Sequence, residues 1–351
     1  MPPTPMVESI ARAPPQSSAP ILSVRALRTY FHLNEGIVRA VDGVSFDVRP
    51  GRTLGIVGES GCGKSVMARS ILGIVDRPGR VEAGEVWLHG AGGSAEPVDL
   101  MTLASDGAQM RAIRGKEIAL IFQEPMASFS HYYTVGNQIM EGILEHSDAT
   151  QKEARARAIE LLRTVGVPQP ERRIDEYPFQ LSGGLRQRVM IAMALACDPR
   201  VLIADEPTTA LDVTTQAQIL DLLRGLQQQR GLALILITHD MGVIAEMADD
   251  VVVMYLGRAV EKGKVDDIFH APRHPYTRAL LRSIPSIMAA PRTKLATLGG
   301  SIPHPFNRPA GCPFHPRCPE SIAGVCDQAL PPLLSEADGR EVSCFLYGGR
   351  P

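Results

Sequence analysis

No stretch of the 351 residues holds about 18 or more consecutive apolar side chains, so nothing in the sequence reads as a transmembrane helix. Aromatic residues make up 5% of the chain, with a single Trp, and there is no excess of charge of one sign: 36 basic residues face 38 acidic ones, a net of −2. That balance gives no electrostatic case for nucleic acid as a partner. There is no internal repeat and no sustained heptad pattern. The first twenty residues contain six prolines and no apolar run of the kind a signal peptide needs, and they read as a disordered lead. These absences point to a soluble, cytosolic chain in which thiols stay reduced. Its six cysteines are then ligands, reactive thiols or core filler before they are disulfides. Four of them fall after residue 311.

What is present is ample apolar material, 44% of the chain, arranged with alternating periods. From Ile21 to Val57 short β-branched runs alternate with turn residues, and a helix is expected from Lys64 to about Val75. "VEAGEVWLHG" returns to strand, and "KEIALIFQ" reads as a buried strand. The stretch from about Pro125 to Pro199 reads helical. "VLIADE" and "LALILIT" are continuous apolar runs of parallel-strand type with a helix between them, and "VVVMYLGRAVEKG" reads as a further strand. The alternation predicts an α/β core with a mostly parallel sheet. The expected boundaries are a lead at 1–20, a main domain at 21–270 with its helical part at about 125–199, and a C-terminal extension at 271–351.

The chemistry begins at "GESGCGKS", Gly58 to Ser65, which fits Gly, four residues, then Gly-Lys-Ser. Glycines let backbone N–H groups close around phosphate oxygens, and the helix that follows points its positive end at them. Gly58, Glu59, Ser60, Gly61, Cys62, Gly63, Lys64, Ser65 and Val66 are therefore candidate ATP-binding residues. Lys64 is expected at the β/γ-phosphates and Ser65 on Mg²⁺. A cysteine at a helix N-terminus has a lowered pKa, so Cys62 is expected to be reactive and protected by ATP. "VLIADEP" places Asp205 and Glu206 at a strand's C-terminal end, Asp205 suited to the Mg²⁺ shell and Glu206 to activating a water. His239, in "LILITHD", ends another buried strand. A lone His there usually packs, but three strand ends presenting Lys64, Glu206 and His239 to one crevice favour catalysis.

"LSGGLRQRVMIAMALACDP" resembles the signature of the ATP-binding-cassette (ABC) ATPases. Ser182, Gly183 and Gly184 would form a second anion nest at a helix N-terminus. The resemblance extends in order and spacing from about Ile21 to Pro285, and it implies the α/β fold of a P-loop NTPase (ABC ATPase), a nucleotide-binding domain with an antiparallel β subdomain and a helical subdomain, followed by a small Cys-rich C-terminal domain. It implies a sandwich of two ATPase subunits, each pairing one P-loop with the partner's signature. It also implies Gln123 as the residue that touches Mg²⁺ and couples to a transport channel, Asp212 in the loop that crosses the dimer, and His239 as the contact to the γ-phosphate. An adenine-stacking aromatic is implied at Phe31 or its neighbour Tyr30, with an edge-strand packing role as the plainer reading of that pair. Leu185 departs from the signature, where the family usually has Gln, and Cys62 stands where Ser is commoner.

One cassette, no membrane helix and no coiled-coil insert leave a separate ATPase subunit of an importer. "HAPRHPYTRALLRSIP" resembles the stretch after the cassette in peptide and nickel importer ATPases, and "GCPFHPRCP" the C-terminal segment of their dipeptide and oligopeptide branch. The branch implies peptide uptake, with ATP hydrolysis at the cytoplasmic face of the cell membrane. It implies as partners a second ATPase subunit (a sibling rather than an identical chain), two permeases and an extracytoplasmic solute-binding protein. Nickel or another small solute, or a redox-gated soluble ATPase that moves nothing, are the alternatives. Cys312, Cys318, Cys326 and Cys344, spaced C-x5-C-x7-C-x17-C, suit zinc or an iron–sulfur cluster. The branch implies a 4Fe–4S cluster, and a metal centre would help fold a segment poor in apolar sequence. Cys197, alone in an apolar helix, reads as core filler.

Overall fold

The computed structural model describes residues 19–91, 96–284 and 299–349. The expected lead at 1–20 therefore lies almost wholly outside the described residues. The chain's two principal sheets follow from two kinds of strand. Leu22–Leu33, Gly36–Val48, Gly79–Leu88 and Val98–Asp99 form a four-stranded antiparallel sheet, the first of them pairing with the second and third.

The second sheet has eight strands. Its parallel part runs in the order Asp250–Tyr255, Thr53–Val57, Ala233–Thr238, Val201–Asp205, Ile118–Ile121. The three central strands are buried at every position, so they read as unbroken apolar runs. Alternation still sorts their side chains. Leu202, Ala204, Leu234 and Leu236 face a core shared with the helices Val135–His146, Gln151–Thr164 and Gly183–Ala194. Val201, Ile203, Ile235 and Ile237 face the other way, onto the helix Lys64–Ile71 and the antiparallel sheet. The helix Gln151–Thr164 starts with a capping box: Thr150 Oγ1 accepts from Glu153 N (3.3 Å) and Glu153 Oε2 accepts from Thr150 N (2.8 Å).

Three expectations change. The helix after the P-loop ends at Ile71 rather than near Val75. "VVVMYLGRAVEKG" is two antiparallel strands, Asp250–Tyr255 and Arg258–Lys264, because Leu256 and Gly257 both take positive φ (43° and 79°) and reverse the chain. The C-terminal segment is also not a separate small domain. Its short strands Leu334–Ser335 and Glu341–Val342 extend the main sheet, with Glu261 opposite Val342 and Lys262 opposite Glu341. Lys262 Nζ reaches Glu341 Oε2 at 2.6 Å. Behind this edge Tyr255, Tyr276 and Phe314 are almost fully buried, with ring centroids 4.7–5.4 Å apart. Cys312, Cys326 and Phe345 join the same core.

Candidate functional site

The P-loop follows the buried strand Thr53–Val57 and opens the helix Lys64–Ile71. Gly63 caps that helix at φ 100°, and a Cβ there would collide with the Ala40 carbonyl, so only glycine fits. Lys64 is buried; its ammonium donates to Gly58 O (2.7 Å) and Glu59 O (3.2 Å). A cavity of about 180 Å³ opens beside it. Gly61, Gly63, Lys64, Ser65 and Val66 line it from the loop, Val38, Arg39 and Ala40 from a neighbouring strand, and Leu256 and Gly257 from the turn. His304, Pro305 and Arg308 complete its wall. Gly58, Glu59, Ser60 and Cys62 do not line it.

Cys62 is the plainest correction. The thiol is only 4% exposed, and burial pushes its pKa up against the pull of the Lys64 charge. The helix terminus does not yield a reactive thiolate here, because desolvation outweighs it. The Cys62 side chain packs in the core that also holds Met67 and Ile71.

At the strand ends beside the loop polar side chains from several elements meet. Ser65 Oγ donates to Asp205 Oδ1 at 3.0 Å. Burial raises the Asp205 carboxyl pKa, opposed by that bond and reinforced by the Glu206 charge. Glu206 sits at φ +46°, a strained position for a non-glycine residue, with its N–H donating to Ile237 O (2.9 Å). Its carboxylate accepts from Gln123 Nε2 (3.0 Å) and Thr209 Oγ1 (2.9 Å), and His239 Nδ1 lies 3.3 Å away. Lys64, Ser65, Asp205, Glu206, Gln123 and His239 are thus gathered at the carboxyl end of the parallel sheet, where ligands bind in open α/β folds.

The signature residues are placed apart. Ser182 caps the helix Gly183–Ala194, its Oγ accepting from Leu185 N (3.4 Å), and neither it nor Gly183 or Gly184 lines the P-loop cavity. Asp212 caps the helix Val213–Arg230 through Thr215 (3.0 Å to N, 2.6 Å to Oγ1). A Cβ on Gly184 would approach the Thr215 methyl at 2.9 Å, which joins the two caps. Leu185 packs on the helical core, which accounts for an apolar residue there. The aromatic pair is not at the cavity: Phe31 lies on Gly79, and the Tyr30 hydroxyl donates to Asp42 Oδ1 (2.8 Å).

The four late cysteines are free, and the other three lie close enough to Cys312 for their charge to bear on its thiol. Cys312 N donates to Cys326 O at 2.8 Å and Ile322 N to Cys326 Sγ at 3.3 Å. Burial first, then the neighbouring thiols, lifts the Cys312 and Cys344 pKa values to about 11 and also raises Cys318. Among the described residues no group of three or more His, Cys, Asp or Glu is arranged to hold a metal ion, so the expected metal site is not present as a preformed cage. Cys197 lies in the helical core, half-buried, with its thiol on Gly142 O (3.2 Å).

Sequence reasoning missed the ties that hold the P-loop from outside. Arg317, between the first two late cysteines, makes a two-pronged ion pair with Glu59 (2.7 and 3.0 Å) and touches the Tyr255 hydroxyl (3.3 Å). Its side chain is 4% exposed. The Tyr276 hydroxyl accepts from Glu59 N at 2.9 Å. No local pattern signals either contact, since each joins residues more than 200 positions apart.

Comparison with known proteins agrees with this geometry. A family model described as "ABC transporter" matches residues 41–209, and one described as "Oligopeptide/dipeptide transporter, C-terminal region" matches residues 260–326. The dipeptide transport ATP-binding protein DppD of Escherichia coli (strain K12) is 49% identical over 94% of this chain and 99% of its own length. The oligopeptide transport ATP-binding protein AppD of Bacillus subtilis (strain 168) is 48% identical over 93% and 97%. Among solved structures, the cassette MJ0796, a bacterial ABC transporter cassette in a dimeric post-hydrolysis state bound to ADP and Pi, superimposes with a TM-score of 0.61 at 27% identity, covering 70% of this chain and 98% of its own. The chain belongs to the ABC transporter family, among the ATP-binding proteins that carry the oligopeptide/dipeptide transporter C-terminal region.

Proposed function

We propose that this chain is the ATP-hydrolysing subunit of an importer that takes up dipeptides or oligopeptides. The observation that carries the reading is the gathering of Lys64, Ser65, Asp205, Glu206, Gln123 and His239 at one end of the parallel sheet beside the P-loop cavity. The relatives' names, dipeptide and oligopeptide transport, favour peptides over nickel and over a soluble ATPase.

The Ser65 hydroxyl and Asp205 carboxylate, 3.0 Å apart, are oxygen donors of the kind Mg²⁺ selects, and Gln123 is the third candidate. When bound, Mg²⁺ would neutralise charge on the phosphates. Lys64 holds the β/γ-phosphates, and Glu206 accepts the proton of the attacking water while Thr209 and Gln123 orient its carboxylate. His239 contacts the γ-phosphate from the neighbouring strand end. The nest of Ser182, Gly183 and Gly184 serves a second ATPase subunit, with Asp212 at the crossing, and we place a sibling chain there. A dimer formed by this chain alone with ATP, in the Glu206→Gln variant, would overturn the sibling.

Among the described residues no helix is long and apolar enough to cross a membrane, so membrane association runs through partners, two permeases served by a solute-binding protein. Tyr132 and Tyr133, 88% and 59% exposed and a few residues beyond Gln123, offer the permeases a docking face at the helical part of the molecule. We take that part as about 125–199 within a nucleotide-binding region 21–270, followed by the extension 271–351. The cell uptake of a labelled dipeptide tests the reading: a deletion strain should recover uptake with this chain and not with Glu206→Gln. Uptake indifferent to the deletion would sink it.

A 4Fe–4S group on Cys312, Cys318, Cys326 and Cys344 is the second proposal. What supports it is that Cys318, Cys326 and Cys344 all lie close enough to Cys312 for their charge to bear on its thiol. Such a group would supply a covalent brace for the segment. Iron and acid-labile sulfide near about four per chain after anaerobic purification are expected. Zinc alone, or no metal, would overturn it.

A further inference from the structure

The cavity over the P-loop has two ends. Gly61, Gly63, Lys64 and Ser65 define the phosphate end, so the base and sugar of a nucleotide fall against the remaining walls. Those walls hold Val38, Arg39 and Ala40 on one side and His304, Pro305 and Arg308, from the C-terminal segment, on the other. Neither Tyr30 nor Phe31 is among them.

The segment that brings His304 to the cavity is anchored at three points. Arg308 donates to Asp42 Oδ2 (2.8 Å) and to Leu256 O (2.5 Å), and Asp42 is also held by Arg258 (2.7 Å) and the Tyr30 hydroxyl. Asn307 N donates to His304 O (2.9 Å), closing a tight turn. The Phe306 ring lies over Gly36, where a Cβ would be 3.4 Å from its Cδ1. The His304 ring tilts against Phe306, centroids 5.2 Å apart, and stays exposed at the cavity rim. Arg39 and Arg308 give these walls positive charge, and no carboxylate lines the cavity.

We propose that His304, Pro305 and Arg308 form the base-side wall of the nucleotide site, with the His304 ring packed on the adenine. Nucleotide recognition is then divided between the P-loop and the C-terminal segment. Arg308 is a positioning residue, because it fixes the turn through Asp42 and Leu256. The proposal rests on the ATP-binding reading given above, and the test separates the two.

Binding of ATP and of inorganic tripolyphosphate, which has no base, is measured by calorimetry on the full-length protein with Mg²⁺. His304→Ala should weaken ATP about tenfold, the scale of losing one base–aromatic stack, and leave tripolyphosphate within about twofold. His304→Phe, which keeps a ring, should bind ATP like the native chain. Lys64→Ala should weaken both ligands. Photolabelling with 8-azido-ATP should mark the peptide containing residues 304–308. Native ATP affinity in His304→Ala, equal loss of both ligands, or label confined to residues 30–40 would each overturn the base-side wall while leaving the P-loop reading intact. Native ATP binding in Lys64→Ala would overturn the P-loop reading and this proposal with it.

Discussion

The strands that carry the P-loop and Glu206 and the cysteine-bearing segment 299–349 belong to one sheet, yet different forces hold them. The central strands are buried at every position, and alternate side chains fill two apolar cores. The C-terminal segment contributes two strands of two residues each, the buried rings of Phe314 and Phe345 and a set of ion pairs, Arg317–Glu59, Arg308–Asp42 and Lys262–Glu341. Apolar burial is non-directional and adds up over area, whereas ion pairs need partners in register and are worth little where solvent reaches them. The contrast predicts that the strand ends carrying Asp205 and Glu206 sit on the part of the molecule that opens last, while the C-terminal wall of the P-loop cavity, attached by a few separable ties, opens earlier.

Substitutions can break or sharpen that contrast. The largest effect should come at the strand ends: Glu206→Gln should lower ATP turnover about 10²–10⁴-fold with ATP binding kept, measured by phosphate release and equilibrium binding. Near-normal turnover would remove Glu206 from the chemistry. In the same rigid part, Leu236→Ala should cost about 2–5 kcal/mol and reduce hydrogen-exchange protection throughout the sheet. Arg317→Ala leaves Glu59 without its partner and should cost at most about 3 kcal/mol, with protection lost mainly in 299–349 and the P-loop. If it loosened the central strands as much as Leu236→Ala does, the two regions would be one cooperative unit and the comparison would fail.

The smallest effect is a pH dependence that arises at His274, which packs against Phe314 of the C-terminal segment. His274 is buried, caps the helix Pro275–Arg282 with Nδ1 accepting from Tyr276 N (3.1 Å), and its pKa is lowered to about 3, by burial first and then by Arg278. The folded chain therefore keeps His274 neutral while the unfolded chain protonates it below about 6.5. Stability falls as pH drops from about 6.5 toward 3, by up to about 1.4 kcal/mol per unit. Urea midpoints at pH 7 and pH 5 should separate more for the native chain than for His274→Gln. Equal separations would show that this histidine already carries a proton in the fold.

The parts legible in the sequence are those governed by neighbours in the chain. "GESGCGKS" reads as a cradle because its glycines, its lysine and the helix after it are consecutive, and "VLIADEP" and "LALILIT" read as buried strands because both faces are apolar. The same local logic misled at two places. "VVVMYLGRAVEKG" looks continuous, yet Leu256 takes a positive φ that an apolar run does not announce. Cys62 stands at a helix start, yet burial decides its pKa. Tyr276, Arg317 and His304 went unread as site residues because what matters in each is a partner far away in sequence.

Val342 pairs with Glu261, about eighty positions earlier, and so caps what would otherwise be the open edge of the main sheet. During synthesis that edge, Arg258–Lys264, leaves the ribosome well before the strand that covers it. At an elongation rate of about 5–20 residues per second, the uncovered ladder is exposed for some seconds. Over that interval the nascent chain offers a neighbouring polypeptide the same N–H and C=O groups that Glu341–Val342 later takes. Prompt delivery of the C-terminal segment is therefore a condition of the chain reaching its fold without pairing with another copy of itself.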